Sequence, residues 1–419
     1  MAMRVAHICF SDRSGGAARA AFRLHQGMNQ HPDLDSHMIV LRQTSDDPKV
    51  HRLHLNRVQR LIRKQTLRRQ EKPNLRRYPK YDGTQWSNGR ASTPVLAALA
   101  ELQPDVAHVH WVGDGMLSIR DIAAITPRLG LPVVWTLHDM WLFTGGCHYA
   151  GSCTRFRESC GKCPILGSES GDDLSTRNLG HKRDVWKDTR FTIVTPSRWL
   201  ANQVRESALF KDHAVNVIAN GIDTQVYQPY DQRTAREVFG LPMDAKLILF
   251  GAYQLDDTRK GVAYLRDALA HLHTYKDLGA VELVTFGSGP LPLDLPYPVH
   301  RVGRLDDDRL LALLYTAADV LVVPSLQDNL PNTVVEALAC GTPCAAFNIG
   351  GMPDMIAHKS NGYLAEPFVA DDLARGIAWA FGARDEAHLH ARESALTNFD
   401  LSRVVKAYAE LYELVNSEA

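Results

Sequence analysis

Short runs of aliphatic and β-branched residues recur along the chain, each followed by a polar or glycine-containing loop and then by apolar positions at helical spacing. The first series comprises Arg4–Phe10, His37–Leu41, Asp105–Trp111, Leu131–His138, Phe191–Thr195 and the start of Val215–Asp223. A second comprises Lys246–Gly251, Val281–Phe286, Val299–Val302, Ala318–Val323 and Cys344–Phe347. Continuous rather than alternating apolar runs indicate strands covered on both faces, as in parallel sheets. Strand–loop–helix repetition predicts doubly wound α/β sheets. A chain of 419 residues exceeds one comfortable core, so two domains are expected. The turn at Asn220–Asp223 and the polar stretch opening at Gln228-Pro229 place the junction, giving domains 1–218 and 219–398. The segment 399–419 carries an amphipathic helix expected to bury Val404, Val405, Tyr408, Leu411 and Leu414.

Chemistry is most legible after Ala318–Val323, where Pro324–Gly341 runs from a polar loop with Asp328 and Asn329 into a helix carrying Glu336. Ligands of open α/β sheets bind outside the carboxyl ends of strands, where helix N-termini point. Gly15-Gly16 occupies the equivalent turn after the first strand, where glycine serves either anion approach or packing. Trp111–Asp114 and His138–Gly146, with Trp141, form polar-aromatic loops at two further strand ends. In the second series a cationic pair, Arg259-Lys260, closes the loop after Lys246–Gly251 and precedes Gly261.

Composition changes this picture in four places. Zero formal net charge argues against nucleic acid as a partner. Apolar runs are too short to span a bilayer, and Arg4, His7, Asp12 and Arg13 interrupt any signal-peptide core, so a cytoplasmic protein is expected. Residues 52–80 are strongly basic, with Arg57, Arg60, Arg63, Lys64, Arg68, Arg69, Lys72, Arg76 and Arg77 opposed only by Glu71. Leu53, Val58, Leu61, Ile62 and Leu67 are interleaved, which fits either contact with an anionic membrane or a solvated segment. Finally, Cys147, Cys153, Cys160 and Cys163 crowd a polar insert at 147–163. Structural zinc is one reading, with His148 as a substitute ligand; disulfides or free thiols are the other. Cys9, Cys340 and Cys344 read as buried small residues.

In this order, Ser14-Gly15-Gly16, Thr136–His138, Asn220–Asp223, Arg259–Gly261 and the run from Pro324 through Glu336 and Pro343 to Gly350-Gly351 resemble the retaining glycosyltransferases of the GT-B fold, the large family-four group. The stretch from His138 through the four cysteines is similar to a subgroup building bacterial exopolysaccharide or O-antigen repeat units. The resemblance implies two Rossmann-like domains facing a central cleft, with the C-terminal helix returning to the first. It implies transfer of a sugar, with retention, from a UDP- or GDP-sugar to a glycan or polyprenyl-linked acceptor, without a catalytic metal; the membrane reading of the basic segment would put this at the inner face of the cytoplasmic membrane. In the family pattern, Glu336 receives the ribose hydroxyls. Asp328, one methylene shorter than the usual Glu, lies near the donor sugar with the backbone of Asn329, Leu330 and Pro331. Arg259, Lys260, the amides of Gly15 and Gly16 and the helix start at Asn332 face the diphosphate. The usual arginine after the Lys246–Gly251 strand falls near Ala252 or Tyr253. His138 lies beside the anomeric carbon, with Trp111, Asp114 and Trp141 on the acceptor side. The rival reading is a nucleotide-sugar-binding scaffold with a degenerate site.

Overall fold

The two series of apolar runs form two parallel sheets in the computed structural model, which describes residues 2–275, 278–290 and 297–417; Met1 and residues 418–419 of the expected units lie outside them. The first unit comprises Met1–Ile218 and Val404–Ala419, the second Ala219–Arg403. In the first, strands β1 (Met3–Ser11), β2 (Leu34–Arg42), β3 (Val50–Arg52), β4 (Val106–Val109), β5 (Val133–Thr136), β6 (Thr192–Thr195) and β7 (Val215–Val217) take the order β3-β2-β1-β4-β5-β6-β7. In the second, β8 (Lys246–Gln254), β9 (Val281–Ser288), β10 (Val299–Gly303), β11 (Val320–Val323), β12 (Cys344–Phe347) and β13 (Gly362–Ala365) take the order β10-β9-β8-β11-β12-β13.

Every pair in both sheets is parallel. The central strands β4, β5, β11 and β12 are buried at every position, as a sheet covered on both faces requires. The edge strands β3 and β13 are absent from the sequence expectation: Val-His-Arg and Gly-Tyr-Leu-Ala are too short and mixed to stand out from loops.

Strand order reverses between β1 and β4 in the first sheet and between β8 and β11 in the second. Loops leaving adjacent strands at such a point diverge to opposite faces and open a crevice. Gly15 and Trp111 follow one reversal; Lys260 and Asp328 follow the other.

The last helix, Leu401–Ser417, enters the first unit from Val404 onward. There it buries Val404, Val405, Tyr408, Leu411, Tyr412 and Val415. Leu414 departs from the expectation and is 55% exposed. The buried stripe advances by three or four residues through Tyr408, Leu411, Tyr412 and Val415, and Leu414 falls beside it.

Candidate active site

In the second unit the loop after β8 folds onto the loop after β11. Gly261 makes this approach feasible: at φ +72° a Cβ would run into the carbonyl oxygen of Pro324, closer than any side chain tolerates. The Leu326 N–H donates to the Arg259 carbonyl at 2.8 Å, and Arg259 Nη1 donates to the Gln327 carbonyl at 3.0 Å. Lys260 Nζ is thereby set 2.6 Å from Asp328 Oδ2, and Arg259 Nη1 lies 3.4 Å from the same oxygen. Burial pushes the Asp328 carboxyl up, but Lys260, Arg259 and the Asn329 N–H prevail and hold it below the ordinary value. Asp328 is therefore an anion at neutral pH, already matched to two cations.

Behind this loop the helix Asn332–Ala339 starts at Pro331 with no side chain capping it, which places the positive end of its dipole there. The side chains of Asn329 and Leu330 are buried, leaving their backbone as what the loop presents. Asn332 Oδ1 accepts from Asn220 Nδ2 at 3.1 Å. Glu336, 3% exposed, accepts from the Tyr315 hydroxyl at 2.7 Å, which orients its carboxylate. Asp328 and Glu336 are thus held differently, one by cations and the other by a phenol.

In the first unit, Gly15 adopts φ +92° as the N-cap of the helix Gly16–Met28, again without a capping side chain. A Cβ at Gly15 would meet nothing within 4 Å, so the space above this helix start is open. Trp111, His138 and Trp141 line one small cavity of about 20 Å3, together with Asp139 and His148. Asp139 organises it: Oδ2 accepts from Trp111 Nε1 at 2.9 Å and pairs with His148 Nδ1 at 2.6 Å, while Oδ1 accepts from the Trp141 N–H at 2.8 Å. His148 Nε2 meets Ser87 Oγ at 3.0 Å. Both nitrogens of His148 are engaged, so it is not the substitute metal ligand the sequence suggested. Asp114 stands apart from this group. It is exposed, at φ +51°, and its carbonyl accepts from Arg63 Nη2 at 2.6 Å.

His138 is backed by a chain of imidazoles. Its Nε2 lies 3.2 Å from His110 Nδ1, and His110 Nε2 lies 2.9 Å from His7 Nδ1. The far end, His7 Nε2, is buried without a hydrogen-bond partner. A buried N–H left unpaired is rarer than an unpaired acceptor, which favours His7 Nε2 as a bare lone pair. Protons then sit on His7 Nδ1 and His110 Nδ1, and His138 Nε2 accepts. Burial, opposed only by Asp139, lowers His138 to about 4, so the ring is neutral at pH 7. Beside the chain, His108 is held by Thr136 Oγ1 at 2.7 Å and by the Tyr412 hydroxyl at 2.6 Å.

Asp139, His148, Tyr315 and the inner histidines are missing from the sequence reading of the transfer site. One signal was available for the last: His108 and His110, two apart on a strand, point to one face. The strand pairing that sets His7 opposite His108 was not.

Two further segments differ from expectation. Glu71 is not a counter-charge on the basic surface: it is 2% exposed and accepts the N–H groups of Gly89, Arg90 and Ala91 at 2.9–3.0 Å. The helix Arg57–Thr66 leaves Val58, Leu61 and Ile62 more than half exposed beside Arg57, Arg60 and Lys64. The four insert cysteines are free thiols lining a second cavity.

Residues 14–226 match the family model described as Glycosyltransferase Family 4, and residues 245–382 that described as Glycosyl transferases group 1. The D-inositol 3-phosphate glycosyltransferase of Nocardiopsis dassonvillei is 32% identical over 341 residues, 76% of this chain and 73% of that one. D-inositol 3-phosphate glycosyltransferase 2 of Catenulispora acidiphila is 30% identical over 217 residues, 47% of this chain and only half the length of that relative. Among solved structures, Anabaena HepE in complex with UDP-glucose superposes with a TM-score of 0.66 at 16% identity, covering 98% of this chain and 99% of that one. Two Rossmann-like units of parallel strands are the architecture of GT-B glycosyltransferases, and with a family model spanning half the chain this protein belongs to glycosyltransferase family 4.

Proposed function

We propose that the chain transfers a sugar from a nucleoside diphosphate donor, with retention, to a hydroxyl of a glycan or lipid-linked acceptor in bacterial polysaccharide assembly. The observation that carries this reading is the Arg259–Lys260–Asp328 cluster beside the uncapped start of the helix bearing Glu336. Glu336, oriented by Tyr315, is the acceptor for the ribose diol, since a carboxylate can receive two vicinal hydroxyls. Lys260, Arg259 and the helix start neutralise the diphosphate as its bond to the sugar breaks, which requires no catalytic metal. Asp328 and the backbone of Asn329 to Pro331 meet the sugar. His138, neutral and fixed through His110, orients the donor, while Trp111 and Trp141 offer the acceptor apolar faces. A structural neighbour was solved with UDP-glucose, which makes a UDP-sugar the first donor to test.

No helix among the described residues is long and apolar enough to cross a membrane. The exposed apolar and basic face of Arg57–Thr66 supports docking at an anionic membrane surface, where a polyprenyl-linked acceptor would be presented.

Thermal unfolding with UDP, GDP and ADP should raise the melting temperature for one base. At a hundredfold excess over the dissociation constant the stabilisation is about 2.7 kcal/mol. UDP-sugars should then yield free nucleoside diphosphate, and Glu336→Gln should weaken donor binding at least tenfold. The second reading, a donor-binding scaffold, is favoured by Asp328 standing one methylene short and by Ala252 and Tyr253 where an arginine is usual. Donor binding without diphosphate release under any acceptor would establish that reading instead, and Glu336→Gln binding as tightly as wild type would refute the assigned site.

A further inference from the structure

The four cysteines of the 147–163 insert sit on separate turns, yet all of them line a single cavity of about 20 Å3. That volume holds one atom-sized occupant, and a water would need two to four polar partners there. The rest of the wall is largely carbon, from Trp86, Ala150, Phe156 and Ile165. Polar hydrogens are instead directed at sulfur. Burial raises the thiols of Cys147, Cys160 and Cys163, opposed at Cys160 by the Gly145 N–H and at Cys163 by the Leu166 and Ile165 N–H groups. The Thr144 hydroxyl is spent on the Cys147 carbonyl at 2.5 Å. A neutral thiol is a weak acceptor, and donors converging on sulfur are the outer shell expected of thiolate ligands.

A buried cation lies nearby. Lys182, 1% exposed, donates to the carbonyls of Trp141 and Thr144, the latter at 2.9 Å, and neither bond is to a carboxylate. Its charge is felt at Cys147 and Cys160. Burial lowers the Lys182 amine to about 7 against the pull of Cys147, Cys160 and Asp139, so added negative charge on the sulfurs favours its ammonium form.

We propose that Cys147, Cys153, Cys160 and Cys163 bind one zinc ion as a structural tetrathiolate centre. The ion replaces four thiol protons, which leave to solvent, and the resulting net charge of −2 faces the Lys182 ammonium; no electron is transferred. Bonds of about 2.3 Å in a tetrahedron set the sulfurs about 3.8 Å apart. Among the described residues the ligand atoms that gather three within 4.8 Å are those of His7, His108 and His110, not the thiols, so the ion draws the four sulfurs inward. The histidines are no competing centre, because both nitrogens of His108 and of His110 already serve hydrogen bonds. Metal and thiol chemistry read the centre independently of activity.

The full chain, purified under reducing conditions without a metal-affinity step, should carry one zinc per chain by elemental analysis. Maleimide labelling of the folded protein should spare all seven cysteines, and a chelator should expose four while Cys9, Cys340 and Cys344 stay protected. Cobalt exchanged for zinc should give the intense visible bands of tetrahedral thiolate coordination. Cys160→Ser with Cys163→Ser should abolish the metal; if that variant fails to fold, chelation of the wild type decides. Folded, metal-free protein whose insert thiols label at once would overturn the proposal, as would a mass showing two disulfides in place of the four thiols.

Discussion

Lowering the pH should unfold the first unit well before its carboxylates titrate. His7, His25 and His108 are 0% exposed and His110 is 3% exposed. Burial, reinforced for His7 and His110 by neighbouring histidines, lowers all four; at His25 it outweighs the nearby Asp47 carboxylate and brings the ring to about 4. In the unfolded chain each takes its proton near pH 6.5. Below that value the unfolded state binds more protons than the folded one, so stability is complete above pH 6.5 and is lost as pH falls through it. At pH 5.5 each withheld proton costs about 1.4 kcal/mol, and the four together with His138, also lowered to about 4, remove about 7 kcal/mol relative to pH 7.5. A whole domain is typically stable by roughly 5–15 kcal/mol. Urea unfolding followed by tryptophan fluorescence measures this. Trp86, Trp111, Trp135, Trp141, Trp186 and Trp199 belong to the first unit and only Trp379 to the second. His7→Phe should reduce the pH dependence by about a fifth, which separates the histidines from any other titrating group. A loss below about 1 kcal/mol between pH 7.5 and 5.5 would mean fewer than one histidine is buried neutral, and the imidazole chain would be wrong.

Gly261→Ala should destabilise the second unit by several kcal/mol, because strain at positive φ adds to a clash with backbone that cannot move aside; Gly240→Ala, also at positive φ but facing open space, should cost about 1 kcal/mol. Equal effects in urea titrations would show that the Pro324 contact is unimportant. Arg57→Glu, Arg60→Glu and Lys64→Glu together should weaken sedimentation with anionic vesicles about 100-fold, at roughly 1 kcal/mol per charge. Unchanged sedimentation would leave this helix as ordinary solvated surface.

Which features were legible follows from how locally each is determined. β11 and the helix after it were readable because Val320–Val323 is uniformly apolar and the next apolar residues change to helical spacing within one short loop. Gly15-Gly16, Lys260 and Asp328 were readable because they sit where strands of such sheets end. The imidazole chain was not, because His7 and His110 are 103 residues apart and meet only through strand pairing. Glu71 was misjudged for a related reason: its charge is visible in sequence, but the three N–H groups it satisfies arrive from Gly89 to Ala91. His148 looked like a metal ligand by proximity to Cys147, yet the nearer claim on it comes from Asp139.

The contact of Tyr412 with His108 spans 304 residues, and that interval has a meaning in time. At about 5–20 residues per second the ribosome needs roughly 15–60 s to deliver the partner after His108 has emerged. Throughout that period Thr136 and His108 lie in a sheet whose covering helix does not yet exist, while residues 219–403 can assemble unaided. The half of the molecule made first is thus finished last, and a product cut short before Tyr412 advertises itself to chaperones and proteases as incomplete.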